Sequence, residues 1–182
     1  MTRFDKGKLL RHERIYQGKI IELEVDSIEI CGKRTIREVV RHPGGVVILA
    51  EVEPDRIPFV RQHRYPLGTD LLELPAGKID NREDPSLSAL RELEEETGYR
   101  AKRLYKICSF YSTPGFCDEI LHAFYTDQVE KTEAAPEFDE HLEVEYYSLE
   151  DALAMIENGE IRDGKTVAAL WWLARKKALE SR

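Results

Sequence analysis

Three glutamates in one short stretch are the residues of this chain best suited to chemistry. Glu92, Glu95 and Glu96 lie between Asp84-Pro85, which is typical of a helix start, and Gly98, which is typical of a helix end. On this helix Glu92 and Glu96 are one turn apart, with Glu95 beside them. Such carboxylates repel one another unless a cation lies among them, and Mg²⁺ or Mn²⁺ suits oxygen ligands. The alternative is a solvated acidic helix face.

The residues around the glutamates make the pattern more specific. Residues 77–99 read GKIDNREDPSLSALRELEEETGY, with Gly77, Glu83 and Arg91 in fixed register with the three glutamates. This stretch is identified as a complete Nudix box, so the chain resembles the Nudix hydrolases, which cleave a nucleoside diphosphate linked to another group. Because the pattern fixes many positions, it is far more specific than a lone glycine motif.

The strands and helices that must position this helix are predicted from the spacing of apolar residues along the chain. We predict strands within 13–42, with a hairpin turn at Cys31-Gly32-Lys33, and further strands near 46–52, 57–61, 71–74, 104–111, 120–126 and 144–147. Polar residues 127–141 indicate a mobile loop, and two helices follow, at 149–158 and 165–179. This order predicts an α/β (α+β) fold, in which an α/β/α sandwich encloses a mixed sheet. The resemblance implies the same Nudix fold.

A boundary is expected at His42-Pro43-Gly44-Gly45. Residues 1–42 form an N-terminal extension of antiparallel strands that is too small to bury a core alone. It must therefore pack on the rest of the chain or on a second copy. Residues 43–182 form the Nudix hydrolase domain.

Composition excludes several classes of partner. The chain has 182 residues and a net charge of −8, which argues against a nucleic-acid backbone as partner but allows a nucleotide bridged by a metal. No apolar run approaches the roughly 18 residues of a membrane span, and the N-terminus lacks an apolar signal core. Cys31, Cys108 and Cys117 lack metal-ligand spacing, so we expect a reducing cytoplasm.

Segments outside the box narrow the family. The chain contains Leu74-Pro75-Ala76-Gly77, Gln62-His63-Arg64-Tyr65 and Pro114-Gly115-Phe116-Cys117-Asp118-Glu119, with N-terminal strands before them and an acidic loop after them. Over roughly residues 10–175 it thus resembles the ADP-ribose pyrophosphatase family of Nudix hydrolases. The resemblance implies metal-dependent hydrolysis of ADP-ribose to AMP and ribose 5-phosphate by a homodimer whose N-terminal strands help wall the partner's site.

Two other functions remain open at this point. GDP-mannose and other nucleotide-sugar pyrophosphatases share much of the same pattern, so either reaction suits the chain. A non-catalytic Nudix module that senses a nucleotide belongs to a different class. Such modules commonly lose box glutamates, and this chain keeps them all.

The resemblance also assigns roles to residues. The metal ligands are the Ala76 carbonyl, Glu92 and Glu96, with Glu95 close by, and Arg91 is expected to orient a box carboxylate. The general base of the family often comes from the acidic loop, but here Phe138 falls where the usual base would stand. The candidate bases are therefore Glu140 first and Glu137 second, with a box glutamate such as Glu95 as the alternative; the candidate substrate contacts are Arg37, Arg64, Phe116 and Glu119.

Overall fold

The computed structural model describes residues 5–80, 82–135 and 141–181. In chain order its elements are β1 (Lys8–Gln17), β2 (Glu22–Ile30), β3 (Lys33–Arg41), β4 (Gly45–Ala50), β5 (Ile57–Arg64), a 3-10 helix (Tyr65–Leu67), β6 (Thr69–Glu73), β7 (Ala76–Lys78), α1 (Pro85–Thr97), β8 (Tyr99–Ala101), β9 (Tyr105–Tyr111), β10 (Ile120–Thr126), β11 (Val129–Lys131), β12 (Leu142–Tyr147), α2 (Leu149–Glu157) and α3 (Gly164–Glu180). They form two compact units: a smaller one (Met1–Gly44 and Tyr111–Ile120) and a larger one (Gly45–Phe110 and Leu121–Arg182).

The larger unit is built on a mixed sheet of order β7-β4-β10-β9. Strand β4 pairs parallel with β10 and antiparallel with β7. Every residue of β4 is buried, because its side chains alternate between two hydrophobic clusters, Val47 and Leu49 in one and Val46, Ile48 and Ala50 in the other. A strand that is covered on both faces has a continuous apolar sequence, as the 46–52 run predicted.

The two clusters correspond to two helical layers. Helix α1 contributes Ala89 and Leu93 to one cluster, whereas α2 and α3 contribute Ala152, Leu170 and Leu173 to the other. The predicted α/β/α sandwich with a mixed sheet is thereby confirmed. Burying these side chains stabilises the unit by about 1.5–3 kcal/mol for each large apolar residue.

Two local predictions need correction. The apolar periodicity of α1 predicts that Leu87 shares a buried face with Ala89 and Leu93, but Leu87 is 56% exposed on the first turn of the helix. The segment 127–141 was expected to be a mobile loop, yet Val129–Lys131 pairs with Tyr99–Ala101, and the Thr132 N–H donates to the Gly98 carbonyl at 2.7 Å. The backbone of Val129–Lys131 is thus hydrogen-bonded to β8 as a strand, whereas residues 136–140 of this segment lie outside the described residues.

The smaller unit contains the antiparallel sheet β1-β2-β3. Its β2–β3 turn places Cys31 and Gly32 at positive φ, 50° and 74°, as a tight hairpin requires. The segment 111–120 joins this sheet at β3, where the Val40 N–H donates to the Phe116 carbonyl at 2.7 Å. All of β1 is exposed, including Leu9 and Ile15. None of the helices in the described part of the chain combines the length and apolar character needed to cross a membrane.

Candidate active site

Local sequence sets the limits of the box helix. The Asp84 carboxylate accepts from the Ser86 N–H at 2.8 Å, and Pro85 occupies the first helical position, where no N–H is needed. Gly98 ends α1 at a φ of 69°, and its N–H donates to the Glu94 carbonyl. Because both ends are fixed, Glu92 and Glu96 have a defined direction relative to β7.

The Ala76-Gly77 dipeptide of β7 lies against both of these glutamates. The Ala76 N–H donates to Glu96 Oε2 at 2.9 Å. A Cβ at Gly77 would lie 2.0 Å from the Glu92 carboxyl carbon and 2.1 Å from its Oε1, far inside contact distance. Only glycine therefore allows the Glu92 carboxylate to approach β7 so closely.

Arg91 holds the acidic residues of the box together. Its Nη1 donates to Glu92 Oε1 at 2.8 Å and to Glu95 Oε2 at 3.3 Å, while Nη2 donates to Glu83 Oε1 at 3.2 Å. Partial burial disfavours its charged form, but the Glu92, Glu83 and Glu95 carboxylates outweigh this and raise the pKa of Arg91. The pKa of Glu83 is lowered by the Ser88 hydroxyl and by Arg91.

The donor set at this position fits a hard divalent cation. Glu92 and Glu96 are 7% and 1% exposed and lie against Gly77 and Ala76, and Glu95 is half-buried and shares Arg91 with Glu92. Buried carboxylates are costly unless a positive charge compensates them. Within residues 5–80, 82–135 and 141–181, no group of three or more His, Cys, Asp or Glu side chains is already arranged to hold a metal ion. Two features suit a cation: the space at Gly77 that the Glu92 carboxylate occupies, and the carboxylate oxygens themselves.

A second charged cluster lies in the larger unit, and the sequence did not predict it. The Arg64 Nε and Nη2 donate to the two oxygens of Glu73 at 2.7 and 2.6 Å, and Lys165 Nζ donates to Glu73 Oε2 at 2.5 Å. Glu73 is 1% exposed. Burial raises the pKa of Glu73, but the Arg64 hydrogen bonds and the Lys165 charge outweigh it, so the pKa is lowered overall. The available signal was a lone carboxylate in the apolar run Leu71-Leu72-Glu73-Leu74.

The first turn of α3 is hydrogen-bonded to Leu74, the residue that follows β6. Asp163 caps this helix, because its Oδ2 accepts from the Thr166 N–H at 3.0 Å and from the Thr166 hydroxyl at 2.7 Å. The Thr166 hydroxyl oxygen accepts in turn from the Leu74 N–H at 2.9 Å. The chain from Glu73 to Ala76 is thus hydrogen-bonded to α3 at one end and to the box helix at the other.

The remaining candidate residues belong to the smaller unit or lie outside the described residues. Arg37, Phe116 and Glu119 belong to the smaller unit. Arg37 is exposed and donates to the Ile36 carbonyl at 2.9 Å, Phe116 is 55% exposed, and Glu119 Oε1 lies 3.3 Å from His42 Nδ1. The candidate bases Glu137 and Glu140 lie outside the described residues, together with Phe138.

A mixed sheet between helical layers, with a complete box on its loop–helix–loop segment, is the architecture of a Nudix hydrolase. The NUDIX domain model matches residues 41–170, and the chain belongs to this family. It is 45% identical to the ADP-ribose pyrophosphatase of Bacillus subtilis (strain 168) over 177 residues, and this alignment covers 96% of each chain. It is 39% identical over 183 residues, 99% of each chain, to the methanol dehydrogenase activator of Bacillus methanolicus.

The fold has a solved counterpart. The crystal structure of an ADP compounds hydrolase superposes with a TM-score of 0.87 and covers all of both chains, at 19% identity. At that identity the likeness supports the fold alone. The predicted membership of the Nudix hydrolases is confirmed by the domain match and by the Bacillus subtilis relative.

Proposed function

We propose that this Nudix hydrolase cleaves the diphosphate linkage of ADP-ribose with water and releases AMP and ribose 5-phosphate. The observation that carries the proposal is the 45% identity to an ADP-ribose pyrophosphatase over 96% of both chains. The name of the Bacillus methanolicus relative describes an activator of another enzyme, so it does not choose among substrates.

Attack of water on a diphosphate is slow because the phosphate oxygens repel an incoming nucleophile. We assign Ala76, Glu92, Glu95 and Glu96 to the binding of Mg²⁺ or Mn²⁺, which fits their oxygen donors. Bound there, the ion would polarise phosphate oxygens and acidify a coordinated water. Arg91 keeps Glu92 and Glu95 close together in spite of their charges.

The proton acceptor is assigned to the acidic loop. We propose Glu140 as the general base, Glu137 as the second candidate and Glu95 as the box alternative. The side chain of Glu95 is 33% exposed, so it is accessible to a water molecule. Substrate contacts are assigned to Arg37, Arg64, Phe116 and Glu119, because a guanidinium matches two phosphate oxygens and an aromatic ring provides an apolar wall.

The working molecule is proposed to be a cytoplasmic homodimer. Residues 1–42 are the proposed dimerisation element, and residues 43–182 the hydrolase domain. Exposed apolar side chains on β1 and β3 support a second copy as their partner; these are Leu9, Ile15, Tyr16 and Ile36, each 55–63% exposed. A two-fold contact would bury these side chains on both copies at once.

A substrate panel tests the proposed reaction. The purified chain is incubated with ADP-ribose, GDP-mannose, ADP-glucose and NADH, with Mg²⁺ and separately with Mn²⁺, and the products are separated by chromatography. We expect AMP and ribose 5-phosphate in equal amounts, and the highest kcat/KM on ADP-ribose. A higher kcat/KM on GDP-mannose would assign the enzyme to the nucleotide-sugar pyrophosphatases instead.

A further inference from the structure

We propose that Glu73 is a positioning residue, which holds the guanidinium of Arg64 so that its Nη1 faces the diphosphate of the substrate. Lys165 completes the arrangement by fixing Glu73 from the other side. The inference rests on the proposed function, because it requires a diphosphate substrate.

The geometry of the pair leaves one nitrogen of Arg64 for a ligand. Nε and Nη2 are both engaged by Glu73 in a bidentate arrangement, and Nη1 makes no hydrogen bond to any other residue in the described part of the chain. The Arg64 side chain is 37% exposed, whereas Glu73 is 1% exposed. The buried Glu73 carboxylate therefore anchors the Arg64 guanidinium, which a ligand can reach.

The anchor of Arg64 is joined to the box through the backbone. Glu73 precedes Ala76 by three residues, and the Ala76 N–H donates to Glu96 Oε2 at 2.9 Å. A guanidinium held by Glu73 is therefore carried by the same segment as a box residue, where phosphate oxygens bound at the box would arrive. A bidentate partner also reduces the rotamer freedom that an arginine would lose on binding a ligand.

The anchor itself is built rigidly. Lys165 is 13% exposed, and its Nζ is shared between Glu73 Oε2 and Asp163 Oδ1, at 2.5 and 3.0 Å. Asp163 in turn caps α3. A carboxylate that only balanced a surface arginine would not need a second, nearly buried cation such as Lys165, so the arrangement is suited to holding Arg64 in one orientation.

Binding of ADP-ribose in EDTA tests the proposal without turnover. Glu73→Asp keeps the charge but withdraws the carboxylate by one methylene, and we expect the Kd measured by calorimetry to rise at least about tenfold. Glu145→Asp is the matched control, because Glu145 forms a similar bidentate pair with Arg61 on the same strand as Arg64. The control should bind within about twofold of wild type.

A double-mutant cycle separates positioning from a merely structural role. In an Arg64→Met background, Glu73→Asp should cause no further loss of affinity, because Glu73 acts through Arg64. An equal loss in both backgrounds, or a Glu73→Asp variant that binds as wild type does, would overturn the proposal. If Glu73→Asp does not fold, the charge-balanced Glu73→Gln/Lys165→Met variant replaces it in the same cycle with the same expectation.

The outcome also distinguishes this proposal from the proposed function. A wild-type chain that binds GDP-mannose rather than ADP-ribose overturns the substrate alone, and the cycle is then measured with GDP-mannose, which carries the same diphosphate. A wild-type chain that binds neither compound in EDTA overturns this proposal alone, and one that also hydrolyses neither compound with Mg²⁺ or Mn²⁺ overturns the proposed function as well.

Discussion

Replacing Gly77 by alanine is the sharpest single perturbation of the box. The new Cβ would lie 2.0 Å from the Glu92 carboxyl carbon, and its other close neighbours are the two oxygens of that group, at 2.1 and 2.5 Å. The backbone at Gly77 has no positive φ, so alanine adds a methyl group without backbone strain. The three atoms nearest to the new methyl group all belong to the Glu92 carboxylate, so the clash displaces Glu92 or the strand that carries the methyl group.

The magnitude follows from these distances. Contacts to a Cβ shorter than 3.0 Å essentially do not occur, so the carboxyl carbon must move by about 1.0 Å, the difference between 3.0 and 2.0 Å. A misplacement of about 1 Å in an active site costs on the order of 100-fold in rate. Two factors of ten correspond to about 2.7 kcal/mol of transition-state stabilisation.

The assay is kcat/KM on ADP-ribose with saturating Mg²⁺, together with the thermal unfolding temperature. We expect kcat/KM to fall about 100-fold or more while the fold is retained. Gly164→Ala is the matched control, because a Cβ at Gly164 meets nothing within 4 Å, and it should keep full activity. A Gly77→Ala variant with activity within about threefold of wild type would refute the assignment of Glu92 to the metal site.

Four further predictions concern the metal, the base, the N-terminal strands and the buried carboxylate. Glu96→Gln should retain fold and size but lower kcat by several orders of magnitude in steady-state assays, and turnover within about threefold of wild type would contradict its role. At least one of Glu137→Gln and Glu140→Gln should lower kcat much more than it raises KM; if both retain full kcat, the base lies in the box. Light scattering should give about twice the 21.1 kDa chain mass, and deletion of residues 1–42 should abolish both dimer and activity; a fully active monomer would count against this. Because the pKa of Glu73 is lowered in the folded state, its contribution to stability is present above the usual value of 4.5 and is lost as the pH falls below that value. Urea unfolding of Glu73→Gln should therefore give a free energy of unfolding about 3–5 kcal/mol below wild type near pH 7, and this difference should shrink in acid. A difference that stays constant with pH would refute the linkage.

The elements that were predictable from sequence are those whose signals are local. Asp84-Pro85 and Gly98 delimit α1 because capping and positive φ depend on one or two residues. The all-apolar β4 was equally predictable, because burial on both faces leaves no alternation in the sequence. In the box, the resemblance implied that Arg91 orients a carboxylate, and Arg91 Nη1 donates to Glu92 Oε1 at 2.8 Å.

The features that were missed depend on partners far along the chain. Strand β11 has a polar sequence, and only its pairing with β8 makes it a strand. The cluster at Glu73 needs a lysine from α3, and no local pattern links the two positions. Leu87 satisfies the apolar period of its helix, but it is 56% exposed on the first turn of α1, which the period alone does not reveal.

The hydrogen bonds that link α3 with Glu73 and Leu74 each join residues 92 positions apart. A ribosome that adds about 5–20 residues per second needs roughly 5–18 s to make that length of chain. During this interval α1 has been made, but the first turn of α3, which binds Glu73 and Leu74, has not. The site therefore becomes fully ordered only after α3 has been made, and a nascent chain should bind no nucleotide until α3 has left the ribosome.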